Sequence, residues 1–201
     1  MGLVVLVACA PGTGHDASAP PVAPATPILP TSHGSDAAAL PGLPAASLPG
    51  YVIDVTRLDI AALSTDALDP PSLEALLAGA GFEAGAQRRF TARGKRLTEV
   101  VARVLRFRSA DGAGAYLAWL RAHGADLLGA RARAADPPRL PNAIAYSHGP
   151  SGCCTKDTFQ YFAAWTRGSY ALTLLVGGPG AGRQSAVPLA EELDARVSRV
   201  S

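Results

Sequence analysis

The chain has 201 residues and a formal net charge of +2, with 48% hydrophobic and 17% charged residues. That is enough for one domain beside a tail, and the near-neutral balance argues against a protein that holds nucleic acid by bulk charge. The apolar run at residues 3–8 is far too short for a transmembrane helix, which takes about 20 apolar residues.

That run ends in the tetrad Leu6-Val7-Ala8-Cys9, two apolar residues, a small residue and a cysteine. The pattern is that of a lipobox, in which an exported cysteine is alkylated on sulfur with diacylglycerol and becomes the first residue after cleavage. Each buried methylene of an acyl chain contributes about 0.8 kcal/mol, so two or three chains on Cys9 anchor the protein in effect permanently. No Lys or Arg precedes the run, where an export signal carries a basic region, so the signal is expected to begin upstream of Met1. The competing reading is a fortuitous apolar run with a free thiol. Residues 1–9 are therefore read as a truncated lipoprotein signal segment with Cys9 as the lipidation site.

Residues 10–49 hold nine of the seventeen prolines and ten alanines, and no Lys, Arg or aromatic residue. So few bulky apolar side chains cannot offset the entropy of ordering, and the prolines favour extended polyproline geometry. The segment is predicted to be a disordered stalk, with His15 and His33 as solvated linker residues.

Residues 50–201 are predicted to form a single globular domain. Asp69 followed by Pro70 and Pro71, with Leu73, Leu76 and Leu77 at helical spacing and Gly79 and Gly81 beyond, predicts a short helix. Residues 82–91 and 97–108 read as a β-hairpin around the turn at 92–95, its second strand apolar on both sides like a central strand. Ser109 caps a second helix, running to about residue 128, on which Ala113, Tyr116, Leu117 and Leu120 share a face. A short strand at 143–146 and a hairpin of 159–166 and 169–176, turning at Arg167-Gly168, follow. Pro188 is predicted to open the last helix, with Leu189, Leu193, Val197 and Val200 on its buried face. The order favours an α+β two-layer sandwich, a mainly antiparallel twisted sheet with helices packed on one face.

Few motifs carry chemistry. Cys153 and Cys154 are adjacent, and in an oxidising compartment with Cys9 lipidated they have only each other within the chain. A disulfide between neighbours is strained, since their Cα atoms lie about 3.8 Å apart where a bridge wants about 4.4–6.8 Å. The readings left open are a vicinal disulfide, a free or intermolecular pair, and a metal or redox site with His148. Residues 177–182 are glycine-rich between a strand and a helix, but Gly182 is followed by Arg183 and Gln184 and lacks the lysine and hydroxyl of a phosphate loop. No cofactor is expected, and His123 and His148 have no nucleophile pattern around them.

Arg88, Arg89, Arg93, Lys95 and Arg96 begin a basic stretch that continues through Arg103, Arg106 and Arg108 and is opposed only by Glu99. It could face anionic lipid or wall polymers, or be a solvated hairpin. Tyr161, Phe162, Trp165 and Tyr170 could line a pocket or form sheet core.

The lipobox tetrad, the Pro/Ala stalk and the single arginine-rich domain together resemble exported lipoproteins of high-GC Gram-positive bacteria. Such domains can look like extracellular sensor modules with α+β folds, a likeness that cannot name a ligand. The resemblance implies a surface lipoprotein anchored on the outer face of the cell membrane. Its non-catalytic domain is expected to bind a small apolar ligand or a protein partner between sheet and helices, and no nucleic acid. A redox or metal protein centred on His148, Cys153 and Cys154, or an enzyme there, is the alternative. A structural envelope protein held through the basic hairpin is a third.

Overall fold

A computed structural model of the chain describes residues 39–44, 46–65, 67, 69–129, 132–149 and 159–201, and not the side chains of residues 125 and 126. Contacts divide the chain into two units, and residues 32–201 form the one to which the described residues belong. Cys9, Cys153 and Cys154 lie outside the described residues.

The elements are β1 (Val52–Leu58), α1 (Ile60–Ser64), α2 (Pro70–Gly79), β2 (Phe82–Thr91), β3 (Glu99–Phe107), α3 (Ala110–Leu127), β4 (Arg133–Ala134), β5 (Ile144–His148), β6 (Phe159–Arg167), β7 (Tyr170–Gly178) and α4 (Arg183–Val197). The strands make one seven-stranded sheet in the order β1-β2-β3-β7-β6-β5-β4, and every neighbouring pair is antiparallel. The expected α+β sheet-and-helix sandwich is what the chain forms.

Local chemistry places the elements. Asp59 accepts from Ala62 N at 2.7 Å and Asp69 from Ser72 N at 3.2 Å, so the first turns of α1 and α2 each have a side-chain cap. Ser109 does the same for α3 through Gly112 N at 3.2 Å. The hairpin of β6 and β7 turns through Gly168, which has φ +54°, and Arg167 stands directly opposite Tyr170.

The helices occupy both faces of the sheet, not only one. Val100, Ala102 and Val104 of β3, with Leu172, Leu174 and Val176 of β7, face α4, where Leu189, Leu193 and Val197 are buried. The alternate residues Leu105, Phe107 and Ala171 face α1, α2 and α3. Because side chains alternate across a strand, a centre that is apolar on both sides needs cover on both sides. That requirement was readable in β3, and α4 meets it.

Three further points depart from the sequence pattern. Leu40, Leu43 and Leu48, assigned to the linker, are 4%, 7% and 7% exposed and join the core beneath α4. The folded part therefore starts before residue 50. Leucines spaced among prolines suffice where the chain only lies across an existing apolar face. The last helix begins at Arg183, with Pro188 inside it. Its first turn is closed by Ser185, whose Oγ accepts from Gly182 N at 3.2 Å and donates to Gly180 O at 3.0 Å. Finally, β1, α1 and β4 had no counterpart in the sequence reading. β1 is an edge strand exposed along most of its length, with Val52, Ile53 and Val55 all facing out, so it lacks the clean in-and-out alternation that marks a half-buried strand.

Candidate functional site

The register of the sheet writes the site. On the face covered by α1 to α3, Thr56, Gln87, Arg103, Thr173, Ala164 and Ile144 stand directly opposite one another across six strands. The neighbouring row on the same face is Asp54, Arg89, Val101, Leu175, Phe162 and Tyr146. Polar residues thus run across the middle of the sheet face where α1 and α3 lie over it.

A cavity of about 370 Å³ opens there, at the lower end of the range of about 300–1,000 Å³ usual for ligand pockets. Leu63 of α1, Leu73 of α2, and Tyr116, Trp119 and Leu120 of α3 form its apolar wall. Gln87, Arg89, Glu99, Arg103 and Thr173 give it a polar floor, with Val101, Phe162 and Leu175 between them.

Each floor residue has a definable state. Arg89 Nε donates to Glu99 Oε1 at 2.5 Å, a pair more than half exposed on the arginine side. Arg103 donates from Nη2 to Gln87 Oε1 at 2.7 Å and from Nε to the same oxygen at 3.2 Å. Among the described residues no carboxylate pairs with Arg103. Burial raises the Tyr116 hydroxyl above the usual tyrosine range, and the neighbouring Arg103 guanidinium pulls it the other way. The indole N–H of Trp119 is buried with no acceptor among the described residues. With Arg89 and Glu99 cancelling, the lining carries one net positive charge among the described residues, on Arg103.

The wall is stiffened by an aromatic ladder. Phe82, Phe107, Tyr116, Trp119 and His123 follow one another with ring centroids 5.8, 5.8, 6.4 and 4.6 Å apart. Tyr116, Trp119 and His123 come from one helix at spacings of three and four, where side chains of successive turns meet. His123 Nδ1 lies 2.9 Å from Trp119 O, so its ring is engaged in packing along α3.

The residues marked in the sequence are dispersed. Of the four aromatics, Phe162 lines the cavity, whereas Tyr161, Trp165 and Tyr170 are buried on the opposite face in the α4 core. They fill sheet core because β6 and β7 send alternate residues to opposite sides. The basic residues form no single stripe. Arg88 lies against Gly42 on the α4 side, Arg89 points to the cavity side, and Lys95 donates to Pro49 O and sits 5.0 Å from the Tyr51 ring. Arg93 and Arg96 belong to the connection between β2 and β3, where Arg96 O accepts from Gly180 N at 2.7 Å. His148 ends β5 on the same sheet face as the cavity, in the row of Gln160, Gly177 and Glu99. Among the described residues no cluster of His, Cys, Asp and Glu could hold a metal ion, and Cys153 and Cys154 fall outside them.

Arg103 and Trp119 are the residues that sequence reasoning missed as site residues. Arg103 was counted only within the basic stretch. Its signal was an arginine inside the apolar middle of the strand, two residues from Val101 and two from Leu105.

The fold has counterparts among solved structures. The extracellular domain of PknH from Mycobacterium tuberculosis matches with a TM-score of 0.52 at 15% identity, over 83% of this chain and 98% of that one. The likeness shows a shared fold. No protein-family signature and no curated protein matches the sequence. Among the described residues no helix is long and apolar enough to cross a membrane.

Proposed function

We propose that the chain is an exported, lipid-anchored protein whose folded domain is a non-catalytic receptor for a small amphipathic molecule held between α3 and the sheet. The observation that carries this is the cavity of about 370 Å³, which joins an apolar helical wall to a polar floor. An apolar lining with a few placed polar groups fits a molecule with one apolar and one polar end. The lining holds no histidine, serine or cysteine among the described residues, so what it offers a guest is position and charge.

Export and anchoring rest on the tetrad ending in Cys9. The shared fold with a domain named as extracellular supports the same compartment. The basic-hairpin reading has less support, because Arg88 and Arg89 point to opposite faces and Lys95 is occupied by Pro49 and Tyr51.

The test uses an uncharged fluorescent amphiphile, N-phenyl-1-naphthylamine. The wild-type chain is expected to bind it saturably. Val101→Phe, which places a ring inside the cavity at a strand position that tolerates aromatics, is expected to bind about tenfold less while unfolding at the same temperature within a few degrees. Equal binding by both chains would place the probe elsewhere and defeat the reading.

A further inference from the structure

We infer that the guest of this cavity is a monoanionic amphiphile, a carboxylate on an apolar tail, with the Arg103 guanidinium as the group that holds the carboxylate. This rests on the reading of the cavity as a ligand site and goes on to assign the chemical class and the recognising residue.

Arg103 lies in the middle of the central strand β3, on a floor roofed by Leu63, Tyr116 and Leu120. A guanidinium brought under apolar side chains loses hydration, which is ordinarily restored by a carboxylate partner. Here its side-chain partners among the described residues are neutral, the amide oxygen of Gln87, which takes Nε and Nη2, and the Tyr116 hydroxyl. Gln87 and Tyr116 orient the guanidinium without neutralising it, so the Nε and Nη2 edge of the fork is fixed and its positive charge has no carboxylate among the described residues. That arrangement suits an incoming anion, since arginine presents fixed donors to oxyanions.

The rest of the lining narrows the class. Arg89 is neutralised by Glu99 at 2.5 Å, leaving a single positive charge among the described residues. A carboxylate carries one negative charge and balances it, whereas a phosphate monoester carries about two near neutral pH and would leave a buried surplus. A cationic guest would meet Arg103 with like charge. The Trp119 indole N–H, buried with no acceptor among the described residues, offers a further donor at the same wall. Leu73, Val101 and Phe162 supply the surface for the tail.

The experiment is displacement of N-phenyl-1-naphthylamine from the full chain at pH 7.5 by decanoate, 1-decanol and decylammonium. Decanoate is expected to bind about tenfold tighter than 1-decanol, as a charge-assisted hydrogen bond implies, and decylammonium weaker than either. Arg103→Gln is expected to bring decanoate and 1-decanol within about twofold of each other, and Arg103→Lys to restore part of the difference. Equal binding of decanoate and 1-decanol by the wild-type chain would overturn the assignment of an anion and leave the cavity reading standing. Failure of the neutral probe to bind in the cavity at all would bring down both. The comparison in the wild-type chain decides the matter even where the Arg103 variants fail to fold.

Discussion

Trp165 on β6 donates its indole N–H to Asp194 Oδ1 on α4 at 3.0 Å, and Arg167, two residues further along the same strand, closes on both oxygens of that carboxylate. Asp194 is only 6% exposed, and the hydrogen bond to it raises the Arg167 guanidinium above its ordinary value. One carboxylate therefore ties the end of the sheet to the closing helix. Asp194→Ala leaves an indole N–H without an acceptor in the core and a guanidinium without its partner. A loss of about 2–4 kcal/mol is expected in urea unfolding, and a loss below about 1 kcal/mol would mean that the tie is not made.

Two glycines of α3 should respond to the same substitution with opposite signs. A Cβ on Gly112 would lie 2.1 Å from Ala80 O at the end of α2, whereas one on Gly114 would meet nothing within 4 Å. Alanine favours a helix interior over glycine by about 1 kcal/mol. Gly114→Ala is therefore expected to raise the unfolding midpoint. Gly112→Ala is expected to lower it, at a loss of about 1–3 kcal/mol in stability, because helix α3 must back away from α2. Equal effects would show that the two helices are not in contact.

Alkaline stability should be governed by buried tyrosines. The Tyr161 hydroxyl donates to Asp136 O at 2.7 Å, and burial pushes its pKa up to about 12, opposed by Arg183 and assisted by Asp136. The unfolded chain releases this proton near pH 10 and the folded chain near 12. The stabilisation from the neutral phenol is thus complete below pH 10 and is lost as the pH rises toward 12, at up to about 1.4 kcal/mol per pH unit. Tyr116 acts in the same direction. Stability of Tyr161→Phe is expected to fall less steeply than that of the wild-type chain between pH 10 and 12, as read from urea midpoints. Parallel curves would contradict the assignment.

The leucines before residue 50 belong to the fold. Leu40 is 4% exposed among the residues under α4, and nearby Ser47 Oγ donates to Glu192 Oε2 at 2.7 Å. Leu40→Ala is expected to cost about 2–4 kcal/mol. A change under about 0.5 kcal/mol would return this segment to the linker.

The hairpin of β2 and β3, helices α2 and α3, strand β5 and the hairpin of β6 and β7 were legible because each carries its own local signal. Ser109 caps α3, Gly168 turns the second hairpin, and β3 reads as a strand covered on both faces. The rest depended on information that is not local. β1 exists because β2 offers it a partner, although most of its side chains face solvent. Leu40, Leu43 and Leu48 are buried only because α4 and the sheet already present an apolar surface. Pro188 resembles a first-turn proline until Ser185 is seen to close the turn before it.

The cavity was legible as a place and not as a set of residues. A cleft between sheet and helices followed from the layers, but of the aromatic run on β6 and β7, open to a pocket or a core role, only Phe162 reaches it and the other three are sheet core. Which face an alternating residue occupies depends on strand pairing, and for Tyr161, Trp165 and Tyr170 the pairing with β5 and β3 sends them toward α4. Arg103 shows the converse, since its neighbours along β3 are apolar and its polar surroundings, Gln87 and Thr173, come from adjacent strands.

The chain's two tryptophans give the most direct measurement. Trp119 lines the cavity and Trp165 is buried on the opposite face of the sheet. Fluorescence of Trp165→Phe and Trp119→Phe is recorded while 6-bromohexan-1-ol, an uncharged heavy-atom quencher, is titrated into each. Saturable quenching of Trp119, with Trp165 unaffected over the same range, is the expected result. Quenching of Trp165, or the same unsaturating decline in both variants, would contradict a guest held between α3 and the sheet.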